Sequence, residues 1–169
     1  TLAETITKRG GKTKHGCHSG CMIQCSQVYH DTDGKYLTTG FEYETIWGFG
    51  ADLMVDDLDD IAMMDRTCDE VGMDTIETGN VLSVLMEATD KGLTNGAGLA
   101  WGDADGQIDV IQRIARRQDK MANMLAEGAA GAAKLLGAPD IAMSVKGQAI
   151  PAYDPRGIKG MGIGYATSN

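Results

Sequence analysis

The sequence predicts a mainly α fold: a helical domain with a small N-terminal hairpin and a glycine-rich C-terminal segment. Apolar residues recur at helical spacing over most of residues 56–137, and residues that favour helix ends separate these runs. A length of 169 residues, of which 43% are hydrophobic, is enough for one core. We therefore expect a single domain over 1–169, in which 1–40 carries a cysteine cluster and the hairpin, 56–137 forms the helical core and 147–169 is the glycine-rich segment.

Three cysteines lie close together near the N-terminus: Cys17, Cys21 and Cys25. Thiolates are soft ligands that favour iron–sulfur clusters, zinc or copper(I), and a short glycine-containing loop can turn three sulfurs toward one cluster face. A cubane cluster needs a fourth ligand. The remaining cysteine, Cys68, lies in an amphipathic helical pattern, where a thiol behaves as a small buried hydrophobe. We therefore expect an iron–sulfur cluster whose fourth ligand is absent from this chain.

Three other interpretations of the cysteine cluster remain open. Zinc would use the thiolates with His15 or His18, although structural zinc sites usually have a second ligand pair further along, which the sequence lacks. Radical enzymes that use S-adenosylmethionine have a C-x3-C-x2-C motif at the start of a βα barrel, whereas this sequence reads C-x3-C-x3-C without alternating strands and helices. Free thiols in a reducing compartment are the third interpretation.

Turn and capping residues place the first elements of regular structure. The pair Asp33-Gly34 lies between β-compatible flanks and predicts a short hairpin, because glycine readily adopts positive φ. Apolar spacing then predicts a helix that is capped by Asp56 and ends at Gly72. A second helix is predicted from Asp74, an N-cap with an acidic residue three positions later, toward Gly92.

Two further helices are predicted in the second half of the chain. One passes through Ile108–Ala115, and the other covers Met121–Leu136 and is ended by Gly137. Residues 92–106, which are rich in glycine, aspartate and asparagine, predict a surface loop.

Four glycines, Gly157, Gly160, Gly162 and Gly164, mark the C-terminal segment. Glycine at such density suggests that the backbone comes close to another group. A Gly-x-Gly pattern is a weak indication of phosphate binding unless it joins a strand to a helix. A plain loop that links two domains explains the pattern equally well.

The charge and hydropathy of the chain exclude several classes of function. With 15 basic and 24 acidic side chains, the net charge of −9 argues against a nucleic-acid surface and an anionic membrane surface. No apolar stretch approaches the roughly 18 residues that a membrane helix requires, and the N-terminus does not resemble a secretory signal. We expect a cytoplasmic protein in an anaerobic or well-reduced setting.

Four stretches of the sequence are informative in combination. They are the cysteine cluster at 17–25, Gly40-Phe41-Glu42-Tyr43-Glu44-Thr45-Ile46-Trp47, Cys68-Asp69-Glu70-Val71-Gly72-Met73-Asp74-Thr75, and Ala152-Tyr153-Asp154-Pro155-Arg156-Gly157 with Tyr165-Ala166-Thr167. In order and separation they resemble the tungsten-containing aldehyde ferredoxin oxidoreductase family, along nearly the whole chain. The resemblance implies an enzyme that oxidises aldehydes to carboxylic acids at tungsten, or molybdenum, held by two pyranopterin dithiolenes, and passes electrons through a 4Fe-4S cluster to ferredoxin.

The resemblance also implies that the chain is the middle helical region of a larger enzyme. Its partners would be the remaining domains of that enzyme, ferredoxin and a small aldehyde, and the isolated fragment would be inactive. Cys17, Cys21 and Cys25 would supply three cluster ligands, although the family usually spaces the first two as C-x2-C. A later segment of the family, beyond this chain, would supply the fourth.

Pterin-binding and catalytic roles follow from the same resemblance. Asp69 to Asp74 is similar to the family's D-x-x-G-L-(C/D) motif, with Met73 in place of leucine, so Asp69, Met73 and Asp74 would contact a pterin. Glu44 matches a glutamate close to the metal, where it would orient or deprotonate the hydrated aldehyde or a metal-bound water. Without the resemblance, Asp69 and Glu44 are ordinary surface charges, and Asp74 is a helix cap.

Two alternatives from other classes remain. The chain could be a non-catalytic iron–sulfur module for electron transfer or scaffolding, or a structural zinc domain. Metal content distinguishes all three, because only the enzyme requires tungsten or molybdenum beside iron.

Overall fold

The computed structural model describes residues 1–95 and 98–168 of the chain. Its helices and strands follow in this order: α1 Leu2–Lys8, β1 Lys12–His15, β2 Ser26–His30, β3 Tyr36–Thr39, α2 Tyr43–Ile46, a π-helical turn Trp47–Ala51, α3 Leu58–Val71, α4 Thr75–Asp90, α5 Ala104–Arg116, α6 Lys120–Leu125, α7 Gly128–Leu135, a 3₁₀ turn Pro139–Ile141, β4 Ser144–Val145, β5 Gln148–Ala149 and α8 Lys159–Thr167. The predicted mainly α fold class is confirmed.

The N-terminal part forms a three-stranded antiparallel sheet in the order β1-β2-β3. The predicted hairpin is its β2–β3 pair, in which the Asp31 carboxylate accepts the backbone N–H groups of Asp33 and Lys35. Gly34 has φ 76°, as the turn requires. Helix α1 and strand β1 were not predicted, although Thr1 and Glu4 form a capping box that the sequence displays.

The two central helices begin and end close to the predicted residues. Asp57 rather than Asp56 caps α3, and Gly72 ends it in the left-handed conformation, with φ 72° and ψ 38°. Asp74 caps α4 by accepting the backbone N–H of Glu77 at 2.7 Å. Helix α4 then runs to Asp90.

The prediction of one helix over Met121–Leu136 is wrong, since the structure breaks it into α6 and α7. The chain turns at Gly128, where φ is 77°. The Glu77 carboxylate accepts the backbone N–H of Ala129 at 2.7 Å, so a side chain of α4 occupies the N-terminus of α7. A Cβ atom at position 128 would lie 2.7 Å from the same carboxylate oxygen, which explains the glycine.

The predicted loop over 92–106 is too long at its C-terminal end. Helix α5 already begins at Ala104, because Asp103 caps it by accepting the backbone N–H of Gly106 at 3.0 Å. Trp101 anchors the preceding segment, and its indole N–H donates to the Asp90 carboxylate at 2.8 Å. Residues 96 and 97 of the predicted loop lie outside the described residues.

The core forms where α3 packs on α5 and α4 packs on α7. Gly79 of α4 lies against the backbone of the π-helical turn, where a Cβ atom would stand 2.6 Å from the carbonyl oxygen of Gly48. Cys68 is fully buried in this core, which confirms the expectation of a small hydrophobe. None of the helices within 1–95 and 98–168 combines the length and apolar character needed to cross a membrane.

The glycine-rich segment is partly helical, so the interpretation as a plain loop is wrong for Lys159–Thr167, which form α8. In the described part of the chain, no residue of α8 is buried. Residue 169, the last of the predicted segment, lies outside the described residues. The short β4–β5 hairpin precedes α8 and places residues 148–156 beside α2 and α4.

Candidate functional site

The cysteine loop, residues 16–25, connects β1 to β2. The sulfur atoms of Cys17 and Cys21 and a ring nitrogen of His18 lie within 4.8 Å of one another. Cys25 is not part of this group, although it lies near both other thiols. The pKa of the Cys25 thiol is raised mainly by burial, next by the charge of Glu42, and least by Cys17 and Cys21. Two of the three predicted thiol ligands therefore lie close enough together to bind one metal ion, and the third is nearby.

Glu44 lies in the first turn of α2 and is half-buried. Its Oε2 atom accepts the backbone N–H of Ala152 at 2.9 Å. Its Oε1 atom is buried and has no hydrogen-bond partner among residues 1–95 and 98–168. A buried carboxylate oxygen without a donor is energetically costly, so this atom is available to a group that the chain itself does not supply.

Tyr153 lies near both Glu44 and Cys25 of the cysteine loop. Its ring lies 5.8 Å from that of Tyr43, measured between centroids. Burial and then the nearby charges of Glu44, Tyr43 and Cys25 raise the pKa of its hydroxyl. These effects place Cys25, Glu44 and Tyr153 in one neighbourhood.

Asp69, Met73 and Asp74 lie around the connection from α3 to α4. Asp69 lies in the last turn of α3 and is exposed as a residue. Partial burial of its carboxyl nevertheless raises the pKa of that group. The last turn of α3 contains no basic residue that would offset this anion at the helix C-terminus. Met73 is half-buried and lines a cleft with Asp74, whose Oδ1 atom is used as the α4 cap.

The two predicted sites are joined through a pair of threonines. The hydroxyls of Thr45 in α2 and Thr75 in α4 lie 2.9 Å apart, which ties the helix of Glu44 to the helix that Asp74 caps. Asp74 also faces residues 148–151, the segment that leads to Ala152. The fold thus brings Glu44, Asp74 and the glycine-rich segment together.

Two acidic residues near this site were missed from the sequence. Glu77 bridges α4, α7 and β5, since it also accepts the backbone N–H of Ala149 at 3.1 Å. Asp52 ends the π-helical turn, and burial raises the pKa of its carboxyl to about 6, against a smaller lowering by the Ser83 hydroxyl. The sequence shows Glu77 only as the acidic residue of the α4 capping pattern, and Asp52 belongs to no recognisable motif. Only their contacts with distant segments distinguish them from surface charges.

A sequence model of aldehyde ferredoxin oxidoreductase, domains 2 and 3, matches residues 2–169 of this chain. The chain belongs to the aldehyde ferredoxin oxidoreductase family. This confirms the family that the sequence motifs indicated.

Named relatives agree with this family membership. The chain is 41% identical over 155 residues to the tungsten-containing aldehyde ferredoxin oxidoreductase of Thermococcus kodakarensis, and 40% identical over 156 residues to that of Pyrococcus furiosus. Both alignments cover 88% of this chain and 25% of the relative. A more distant relative, the WOR-like subunit of an aliphatic sulfonate oxidoreductase from Pyrococcus furiosus, is 27% identical over 156 residues, covering 85% of this chain and 25% of that protein.

The chain therefore spans about a quarter of the length of the curated relatives it matches. The family is one of oxidoreductases, and the more similar relatives are named as tungsten-containing. The individual roles of Glu44, the three cysteines and the Asp69–Asp74 motif stay predictions.

Proposed function

We propose that the intact enzyme containing this chain oxidises small aldehydes to carboxylic acids and passes the electrons to ferredoxin. The overall reaction converts RCHO and H₂O into RCOOH with release of two protons and two electrons. The observation that carries this proposal is the identity of about 40% with tungsten-containing aldehyde ferredoxin oxidoreductases along 88% of the chain. The proposal includes a cytoplasmic, well-reduced setting and the division of the chain at 1–40, 56–137 and 147–169.

The cysteine loop would hold a 4Fe-4S cluster. Cys17 and Cys25 are exposed, Cys21 is partly exposed, and none of the three is tied into the core. Soft thiolates in a short loop are the ligand set that such clusters use. The fourth ligand would come from another part of the intact enzyme.

Asp69, Met73 and Asp74 would contact one pterin. Asp69 is exposed beside the α3–α4 connection, and a carboxylate can accept paired hydrogen bonds from the amino and ring N–H edge of a pterin. Met73 would add an apolar contact. The bound tungsten–pterin centre would supply the acceptor for the two electrons, and the cluster would relay them onward.

Glu44 would act on the substrate. The Ala152 N–H holds its Oε2 atom, so its buried Oε1 atom has a fixed direction and lacks a donor within the described residues. This atom can orient the hydrated aldehyde by accepting its O–H group, and can take that proton as the carboxylic acid forms. The position near Tyr153 and Cys25 supports this role, because proton and electron acceptors then lie close together.

The position of His18 favours a second candidate, a structural zinc domain. His18 groups with Cys17 and Cys21 within 4.8 Å, and two thiolates with an imidazole are common zinc ligands. Its Nδ1 atom lies 2.9 Å from the carbonyl oxygen of Ser19, so Nε2 would be the metal ligand. A non-catalytic iron–sulfur module for electron transfer uses the same cysteines without tungsten.

Elemental analysis of the intact protein, purified anaerobically, tests these candidates. Tungsten or molybdenum with about four irons per chain, together with aldehyde-dependent reduction of ferredoxin, is the expected result. Iron without tungsten or molybdenum would favour the electron-transfer module. Zinc alone would overturn both iron-based candidates.

A further inference from the structure

A cleft of about 440 Å³ lies between the π-helical turn, α4 and residues 143–156. Trp47, Ile150, Pro151 and Pro155 give it largely apolar walls, and Asp52 contributes a carboxyl group to the lining. We call it the Asp52 cleft. Its size lies within the range of about 300–1,000 Å³ that is usual for small-molecule sites, and such sites combine apolar walls with a few polar groups.

Asp52 is the unusual member of this lining. Its Oδ2 atom is buried and has no hydrogen-bond partner within residues 1–95 and 98–168. Burial raises the pKa of the carboxyl to about 6, and the Ser83 hydroxyl lowers it by a smaller amount. An unsatisfied carboxylate oxygen of this kind is stabilised by any ligand that brings an O–H or N–H donor into the cleft.

The cationic group in the lining does not serve Asp52. Arg156 is exposed, and its guanidinium is paired with Asp154 through two nitrogens at 2.8 and 3.1 Å. Arg156 is therefore already neutralised at the rim. The charge of Asp52 is left for a ligand.

The Asp52 cleft adjoins the proposed catalytic carboxylate. Ala152 lines the cleft, and its backbone N–H holds the Oε2 atom of Glu44. A substrate whose aldehyde group lies at Glu44 can therefore extend the rest of its molecule past Ala152 into the cleft. This geometry connects the reacting end of the substrate with Asp52.

We propose that the Asp52 cleft binds the tail of the aldehyde and that Asp52 makes the enzyme prefer a tail bearing an O–H or N–H donor. The inference rests on the proposed function, because it takes Glu44 as the group beside the aldehyde. Asp52 is a specificity-determining residue in this arrangement. It accepts the donor of the tail, and the apolar walls hold the carbon skeleton.

The test compares two aldehydes that differ by one donor, phenylacetaldehyde and 4-hydroxyphenylacetaldehyde, with the intact metal-loaded enzyme. We expect kcat/KM to be at least about tenfold higher for the hydroxylated aldehyde, because a hydrogen bond to a charged acceptor is at stake. In Asp52→Leu, which removes the acceptor, this ratio should fall to about one. The exposed variant Asp56→Asn removes the same charge outside the cleft and should keep the wild-type ratio.

Direct binding of compounds that lack an aldehyde provides a second measurement. Calorimetric titration with benzyl alcohol and benzylamine separates a hydroxyl donor from an ammonium donor. Asp52→Leu should weaken both, whereas Asp52→Asn, which keeps an acceptor but loses the charge, should weaken benzylamine more. Met143→Trp should lower kcat/KM for phenylacetaldehyde relative to acetaldehyde, since this exposed residue lines the cleft and a larger side chain would fill it.

The outcomes separate this inference from the proposed function. No oxidation of any aldehyde by the metal-loaded enzyme would overturn the proposed function. Oxidation of both aromatic aldehydes with equal efficiency by the wild type would overturn the inference alone, as would a preference that survives Asp52→Leu. The wild-type ratio decides even if the leucine variant fails to fold.

Discussion

The helical core and the edge formed by the cysteine loop, α2 and residues 148–156 differ in how their polar groups are satisfied. In the core, Asp57 and Asp74 cap helices, and Glu77 holds two backbone N–H groups. The fully buried amide of Gln107 and the buried hydroxyl of Ser26 in β2 have no partner in the described residues, and nothing in the structure explains them.

At the edge, several side chains are exposed or incompletely hydrogen-bonded within the described residues. Met22 and Ile23, between two of the cysteines, are neighbouring apolar side chains that are 94% and 81% exposed. Oε1 of Glu44 has no partner within residues 1–95 and 98–168. The comparison teaches that, within the described residues, the core satisfies most of its polar groups internally, whereas the edge leaves an oxygen of Glu44 without a donor.

Cys25→Ser should give the largest effect at the edge. A hydroxyl is a poor ligand for iron, so the intact enzyme should lose most of its cluster iron and all ferredoxin reduction. Iron analysis and visible absorption measure this loss. The control variant Cys68→Ala removes a thiol from the core and should retain the iron. Equal iron content in both variants would show that Cys25 does not bind the cluster.

Gly79→Ala should be the most damaging change in the core. The new Cβ atom would stand 2.6 Å from the carbonyl oxygen of Gly48. The backbone fixes the positions of both atoms, so α4 and the π-helical turn must move apart, at a cost of about 3 kcal/mol. Thermal unfolding of the intact enzyme should show a midpoint lower by several degrees. Gly48→Ala is the matched control, because its Cβ atom meets only the Thr75 carbonyl oxygen at 3.7 Å. Equal midpoints for the two variants would contradict the close packing.

Asp65→Asn tests a polar group inside the core. Asp65 is 2% exposed, and burial raises the pKa of its carboxyl to about 6, with smaller contributions from Asp69 and Glu42, while the Thr38 hydroxyl lowers it. The folded state therefore holds this proton more tightly than the unfolded chain, so stability falls as pH rises from about 4 to 6 and stays lower above that range.

The asparagine variant keeps an acceptor for the Thr38 hydroxyl and carries no charge. It should be more stable than the wild type by about 2 kcal/mol above pH 6, with the difference vanishing near pH 4. Denaturation at several pH values measures this. The hairpin-turn variant Asp33→Asn is the control, because it makes the same substitution at an exposed position. A pH-independent difference for Asp65→Asn would contradict the buried charge.

Glu44→Gln should have the smallest effect in free energy, yet the most specific one. The amide keeps the shape but cannot take a proton, so turnover should fall by at least about tenfold. Tungsten and iron content should be unchanged, because Glu44 is not proposed to bind either. Turnover at the wild-type rate would remove Glu44 from the mechanism, and loss of metal would give it a structural role instead.

Local sequence rules predicted α3, α4 and the β2–β3 hairpin because their caps and turns use neighbouring residues. Asp74 caps α4 by accepting the backbone N–H of the residue three positions later, and Gly72 adopts a left-handed conformation that other residues disfavour. The break between α6 and α7 was missed because its cause, Glu77, is 52 residues from Ala129. Of the candidate site, the cysteines and the Asp69–Asp74 motif were visible as patterns, whereas Asp52 was not.

The sequence by itself determined the helical class, the approximate ends of α3 and α4 and the family, since these depend on periodicity, caps and motifs within short stretches. Tertiary structure alone decided which groups meet. It brought Ala152 to Glu44, joined α2 to α4 through Thr45 and Thr75, and left the Oδ2 atom of Asp52 without a hydrogen-bond partner among the described residues. Contacts between distant segments depend on how the core packs, and hydrogen-bond satisfaction is settled only when every neighbour is in place.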